Sequence, residues 1–154
     1  MQISDEKLEE ILFREEIRIS SFQRRLFAFL IDDFLMTILF FFLFFNSFYA
    51  LRNNPEAIVD LLKETFFYLV LLRSVYHSLF TALYGASIGK ILLKIRIIRV
   101  DTLDNPNLLD AVVRTFFKEI GQMFFYVTYF FALGDKFVRT LHDRVVKTIV
   151  IMQD

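Results

Sequence analysis

Residues 26–45 read LFAFLIDDFLMTILFFFLFF, and only Asp32, Asp33 and Thr37 interrupt the apolar run. At about 1.5 Å per residue a helix of this length covers roughly 30 Å, the hydrocarbon thickness of a bilayer. The stretch therefore reads as a membrane-spanning helix. Arg24 and Arg25 precede it, placed to snorkel towards headgroups. Ser20 with Gln23 three residues later supplies a capping box that starts the helix. A cleaved signal peptide fits poorly, because the run starts late, carries two acids and has no small-residue cleavage pattern behind it.

Composition agrees with that reading. Of 154 residues 56% are hydrophobic and 18% aromatic, with 21 Phe and a mean hydropathy of +0.49, whereas ordinary globular domains sit near about 45–50% apolar. Lys plus Arg and Asp plus Glu both number 18, so no basic excess points to nucleic acid. Cysteine is absent, which excludes disulfides, thiolate chemistry and Cys-ligated metal. The two histidines, His77 and His142, are too few to hold a metal without heavy carboxylate help. With no activated nucleophile, metal cluster or cofactor fingerprint, the expectation is a non-enzyme without a cofactor.

A second apolar block, residues 65–86, reads TFFYLVLLRSVYHSLFTALYGA. Arg73 and His77 lie four apart on one helix face with Ser74, Ser78 and Thr81, a polar stripe that should face protein rather than lipid. Between the blocks, Asn53-Asn54-Pro55 signals a turn and a short helix begins at Glu56. The third block has two readings. Residues 120–133 carry no charge but are too short to span alone, and extension back to Ala111 takes in Arg114, Lys118 and Glu119. Gly121 is a candidate bend between an amphipathic piece (107–120) and a hydrophobic one (122–133). Residues 95–100 (IRIIRV) and 148–152 (TIVIM) are β-branched runs that predict two short strands.

Counting Lys and Arg in the flanks gives five up to Arg25, two in 46–64, four in 87–110 and four from Gly134 onward. The positive-inside rule then puts the N-terminus, the segment after the second span and the tail in the cytoplasm. The expected fold is an all-α membrane protein. It has two full transmembrane helices plus a third membrane-embedded segment, either a bent hairpin or interfacial helix pair, with a single span as the competitor. A small cytoplasmic two-stranded β element completes it. Residues 1–19 form a charged cytoplasmic extension and residues 20–152 one transmembrane domain.

Ionisable groups inside a span suggest function. Asp32 lies about 12 Å into the membrane beyond Arg24, His77 roughly 13.5 Å in on the returning helix and Arg73 roughly 20 Å. Asp32 or Asp33 is thus level with His77 and in reach of Arg73, which predicts a carboxylate–imidazole or carboxylate–guanidinium pair. Desolvation and mutual repulsion oppose joint ionisation of two adjacent acids in low dielectric, a setting used by proton relays. Asp32, Asp33, His77 and Arg73 are the candidate proton or cation site, against the alternative of a lock between two helices. Arg25, Ala28 and Asp32 share one face, with Arg25 read either as part of a site or as a snorkelling anchor.

Several motifs, in order, carry a resemblance. RLFAFLID has Arg25 and Asp32 in an Arg-x-x-Ala-x-x-Ile/Leu-Asp pattern. Gly85-Ala86-Ser87-Ile88-Gly89-Lys90 follows the second span, then Arg96 to Val100, then Arg114. The tail LHDRVVKTIVI holds His142-Asp143 and Thr148. On these residues, over roughly 20–152, the chain resembles the RDD family, bacterial membrane proteins named for one arginine and two aspartates. The resemblance makes Arg25, Asp32 and Asp143 the signature residues, and Gly85, Gly89, Lys90, Arg96, Arg114 and Thr148 a cytoplasmic-face motif. Asp33 is an acid beyond the family pattern, and Val145-Val146-Lys147 stands where small residues are usual. The family's biochemical role is largely unknown. The resemblance implies transport, with cation–proton exchange proposed for some members.

Gly85-xxx-Gly89-Lys90 lacks the spacing of a phosphate loop, and Ile91 stands where Ser or Thr is needed. It reads better as a helix exit with Lys90 and Lys94 meeting anionic headgroups. Asp143 is expected to accept from a basic partner such as Arg25, Arg96 or Arg114. Residues 40–45, all aromatic but Leu43, read as lipid-facing filler. The expected function is a transport-related, multi-pass protein of the bacterial inner (plasma) membrane with its N-terminus cytoplasmic. Its partners would be the bilayer, a homo-oligomer or another membrane protein, and a proton or alkali cation, with no nucleic acid. A structural or assembly subunit is the alternative.

Overall fold

A computed structural model describes residues 4–123 and 132–153 of the chain. Its elements are α1 (Asp5–Arg14), α2 (Phe22–Leu43), α3 (Phe45–Ala50), α4 (Pro55–Tyr84), α5 (Ile88–Leu92), β1 (Ile95–Arg99), α6 (Leu108–Met123), α7 (Leu141–Val145) and β2 (Thr148–Met152).

The two apolar blocks become α2 and α4, both long and apolar enough to cross a membrane. Only 22% of the most apolar window of each is buried within the protein, which is not how a soluble core helix behaves. Ser21, not Ser20, caps α2: its hydroxyl accepts from the Arg24 amide at 3.4 Å. Ser20 instead donates its backbone N–H to Val150 O at 3.0 Å and is fully buried, so the predicted capping box is replaced by an attachment to the sheet. The stripe Arg25, Ala28, Asp32, Met36 and Phe40 forms the buried face of α2, at the three- and four-residue spacing of one helix face.

The turn and the short helix expected between the blocks are the start of α4 itself. Asn54 caps it, its side chain accepting from the Ala57 amide at 3.2 Å, and Pro55 takes the first turn, where a missing N–H costs nothing. At 30 residues α4 is about 45 Å long, so its charged opening turns (Glu56, Asp60, Lys63, Glu64) extend past an apolar layer. Gly85 ends it in the left-handed conformation, φ +66°, as glycine does at helix C-termini. Among the aromatics of residues 40–45, Phe42 and Phe45 are exposed and Phe40 is buried against Phe44 and Phe48.

The two predicted strands pair antiparallel, Ile97 opposite Val150 and Ile98 opposite Ile149. A lone two-stranded ribbon is marginal in water, and this one is covered on both faces. Ile98, Val100 and Ile149 pack with Leu8 and Leu12 of α1 and with Phe137. Ile95, Ile97 and Val150 pack with Ala28 at the start of α2. The amphipathic residues of the N-terminal extension thus belong to the sheet's core.

α6 continues without a break through Gly121, so the predicted bend is absent there, and the rest of the predicted hydrophobic piece, 124–131, lies outside the described residues. α6 lies along α4, with Arg114, Thr115, Lys118 and Gly121 buried and Leu109, Val112 and Phe116 exposed. The chain leaves α6 near Met36 and Asp33 and by Phe137 is back on the sheet. The β1–β2 pairing keeps the tail beside the segment that follows α4, and the choice between a hairpin and a single span falls in part on residues 124–131, outside the described residues.

Candidate functional site

The buried face of α2 places Asp32 against the start of α5. Its carboxylate accepts from Tyr76 Oη at 2.8 Å, Ser87 Oγ at 2.5 Å and the Gly89 amide at 2.8 Å. Tyr76 Oη in turn accepts from the Ile88 amide at 2.9 Å. Asp32 and Tyr76 therefore satisfy backbone donors that the first turn of α5 leaves free. The approach is possible because residue 89 is glycine: a Cβ there would lie 2.2 Å from Ala28 O. Gly89 is thus a contact point with α2, and not the helix break expected of it.

Seven residues earlier on the same face, Arg25 is buried rather than snorkelling, 7% exposed. It donates through Nη1 to Val138 O at 2.5 Å and through Nη2 to Val150 O at 3.0 Å, and lies 3.6 Å from Asp143 Oδ2. Arg114 of α6 donates to Asp143 Oδ1 from Nη2 at 2.5 Å and from Nε at 3.1 Å. The other carboxylate oxygen accepts from the Thr140 amide at 3.1 Å and hydroxyl at 2.7 Å, the reciprocal cap of α7. Thr148 Oγ1 stands 3.4 Å from Oδ1. Burial alone would raise the Asp143 carboxyl, but Arg114 and Arg25 outweigh it and hold it well below the usual carboxylate range. Of the three arginines considered for Asp143, Arg25 and Arg114 pair with it and Arg96 does not. Lys147, where small residues were expected, takes a left-handed φ of +52°.

Deeper along α2 the pairing differs from the expectation. Arg73 pairs with Asp33, not Asp32, and His77 Nε2 meets Lys118 Nζ at 2.9 Å instead of a carboxylate. The acid with no family precedent is the one that neutralises the arginine of α4. Glu119 joins Asp33, Arg73 and His77 around one cleft, and its Oε1 is buried with no hydrogen-bond partner among the described residues. Glu119 and Tyr76 are the residues the sequence reading missed. Glu119 follows Lys118 on an amphipathic helix, where a charge usually faces water, and Tyr76 is a polar tip inside an apolar run.

Two polar spaces result. The first is a cavity of about 30 Å³ bordered by Arg25, Asp32, Lys90, Arg114, Lys118, His142 and Asp143. The second is the narrower cleft between Asp33, Arg73, His77 and Glu119, and Phe29 and Asp32 line both. Lys90 turns into the first rather than out to headgroups, whereas Lys94 is exposed. Gly85 keeps its predicted place at the end of α4, accepting from the Ile97 amide at 2.7 Å.

Arg25, Asp32 and Asp143, far apart in the chain, are thus assembled around one space, and the family model described as the RDD family matches residues 19–147. The chain belongs to the RDD family. Neither a curated protein nor a solved structure shows significant similarity to it. RDD family membership together with two apolar, largely uncovered helices points to a membrane protein. In this RDD protein Arg25 and Asp143 close the sheet onto the helices, while Asp32 docks the Gly-x-Ser-x-Gly-Lys segment onto α2.

Proposed function

We propose that this RDD protein is a multi-pass protein of the bacterial plasma membrane, with its N-terminus, sheet and tail cytoplasmic, and that it moves a proton or small cation as an oligomer. The observation that carries this reading is the pair of polar spaces that share Asp32 and run between α2, α4 and α6. They string ionisable groups from the sheet end to about the middle of α2, where such groups are costly unless used. Asp33 and Glu119 are the residues assigned to proton or cation binding, with Arg73 and His77 beside them. Asp32 has all its contacts with neutral donors and is assigned to docking. Three helices enclose only half a path, so several copies or a partner complete it.

The test is the decay of a pH gradient in vesicles holding the purified chain, across a panel of alkali cations. Asp33→Asn and Glu119→Gln are expected to remove the cation-dependent signal while inserting normally. No such signal from correctly inserted wild-type protein, or an unchanged one in both variants, would sink the reading.

The engagement of both oxygens of Asp32 and of Asp143 by protein donors favours a second reading, a structural or assembly subunit. It predicts a stable hetero-complex after mild detergent extraction, and loss of that partner in Asp32→Asn.

A further inference from the structure

Four cationic side chains, Arg25, Lys90, Arg114 and Lys118, border the cavity of about 30 Å³, against two carboxylates, Asp32 and Asp143. His142, the remaining titratable group there, adds no negative charge in any state. The carboxylates are already committed. Asp143 is held by Arg114 and Thr140, with Arg25 at 3.6 Å. Asp32 accepts from Tyr76, Ser87 and Gly89, and no described cation lies within ion-pairing distance of it. Lys90 makes no hydrogen bond or ion pair with any described residue. Lys118, 5% exposed, bonds to the imidazole of His77 at 2.9 Å and stands 5.5 Å from the centre of the Phe29 ring. Neither contact supplies a negative charge. Arg25 Nε is buried without a hydrogen-bond partner among the described residues. Positive charge in excess therefore borders a small, partly open space with spare N–H donors, and a charge held out of water without a counter-charge is expensive.

We propose that this cavity binds a small monovalent anion of the halide class, held by Lys90 and Lys118 with Arg25 beside them. Size selects the class. About 30 Å³ accommodates one or two water-sized particles, which favours a monatomic halide over a tetrahedral phosphate or a lipid headgroup. The anion completes the charge balance of the signature cluster, and equilibrium binding of it stands or falls apart from any pH-gradient signal.

The test follows thermal unfolding of the full chain in detergent or lipid nanodiscs, in potassium chloride, bromide or gluconate at one fixed ionic strength. Chloride and bromide are expected to raise the midpoint in a saturable way and gluconate not at all. Lys90→Met and Lys118→Met, measured separately, should each weaken half-saturation by about tenfold or more, the loss of one charge-assisted contact. In gluconate both variants should unfold no earlier than wild type, because they remove surplus charge. A purely structural lysine would give earlier unfolding in every salt. Equal midpoints in chloride and gluconate, phosphate acting as well as chloride, or wild-type half-saturation in Lys90→Met would each overturn the proposal. If the variants do not fold, anomalous scattering from bromide-soaked wild-type crystals decides: a peak between Lys90 and Lys118 supports the site, and its absence refutes it.

Discussion

Asp143 holds two guanidiniums in a place closed to water, so its removal leaves Arg25 and Arg114 without their counter-charge. Breaking a buried pair from one side typically costs about 3–5 kcal/mol. Asp143→Asn is expected to lose stability on that scale in denaturant unfolding of the detergent-solubilised chain, and a midpoint unchanged from wild type would contradict the assignment. Lys90 gives a signed pH dependence. Burial first, then Arg114 and Arg25, lower it to about 8 against the opposing pull of Asp32 and Asp143. The folded state thus binds fewer protons than the unfolded state between pH of about 8 and the ordinary lysine value. Stability should therefore rise with pH across that window in halide-free buffer, and Lys90→Met should remove this part of the slope. The signature residues were legible in the sequence by motif, and so were Arg25 and Arg114 as partners of Asp143, but the partners of Asp32 were not. Depth along a helix follows from counting residues, whereas Asp32 and Asp33 differ by about 100° in direction. Counting put either one level with His77 and in reach of Arg73, and only the packing of α5 turns Asp32 towards Ser87 and leaves Asp33 to Arg73.

The close approach of α2 and α5 rests on Gly89. A methyl group there meets Ala28 O at 2.2 Å and the Asp32 carboxyl carbon at 3.0 Å, and backbone cannot yield as a flexible side chain does. Gly89→Ala should cost about 1–3 kcal/mol, as overpacking does, and raise proteolysis of the segment between α4 and β1. Wild-type resistance would show that α5 is not held this way. The strands were readable because β-branched residues ran uninterrupted between polar ends, and the end of α4 because glycine follows its last turn. The true length of α4 was hidden by Glu56, Asp60, Lys63 and Glu64, which lower the hydropathy of a helix that continues regardless. Glycine at 89 read as a breaker because sequence shows the missing side chain and not the neighbour that requires it missing.

At the scale of the whole molecule, α1, the sheet and the starts of α2 and α6 gather at one end, and the α3–α4 turn lies at the other end of α2. Since the chain contains no cysteine, single substitutions report sidedness cleanly. Thr102→Cys and Gln153→Cys should react with an impermeant thiol reagent from the same face of the membrane, and Asn53→Cys only from the opposite face. Labelling of positions 102 and 153 from different faces would refute the arrangement. The two long apolar helices followed from run lengths. The docking of α1 did not, since its Leu8 and Leu12 gain meaning only beside Phe137 and Ile98. The clasp between Arg25 and Val150 joins groups 125 positions apart, and this has a consequence for biogenesis. The ribosome delivers the arginine long before its acceptors, so α2 must form with that guanidinium still hydrated. Quality-control proteases would meet every chain stalled short of the last strand in this unlatched form.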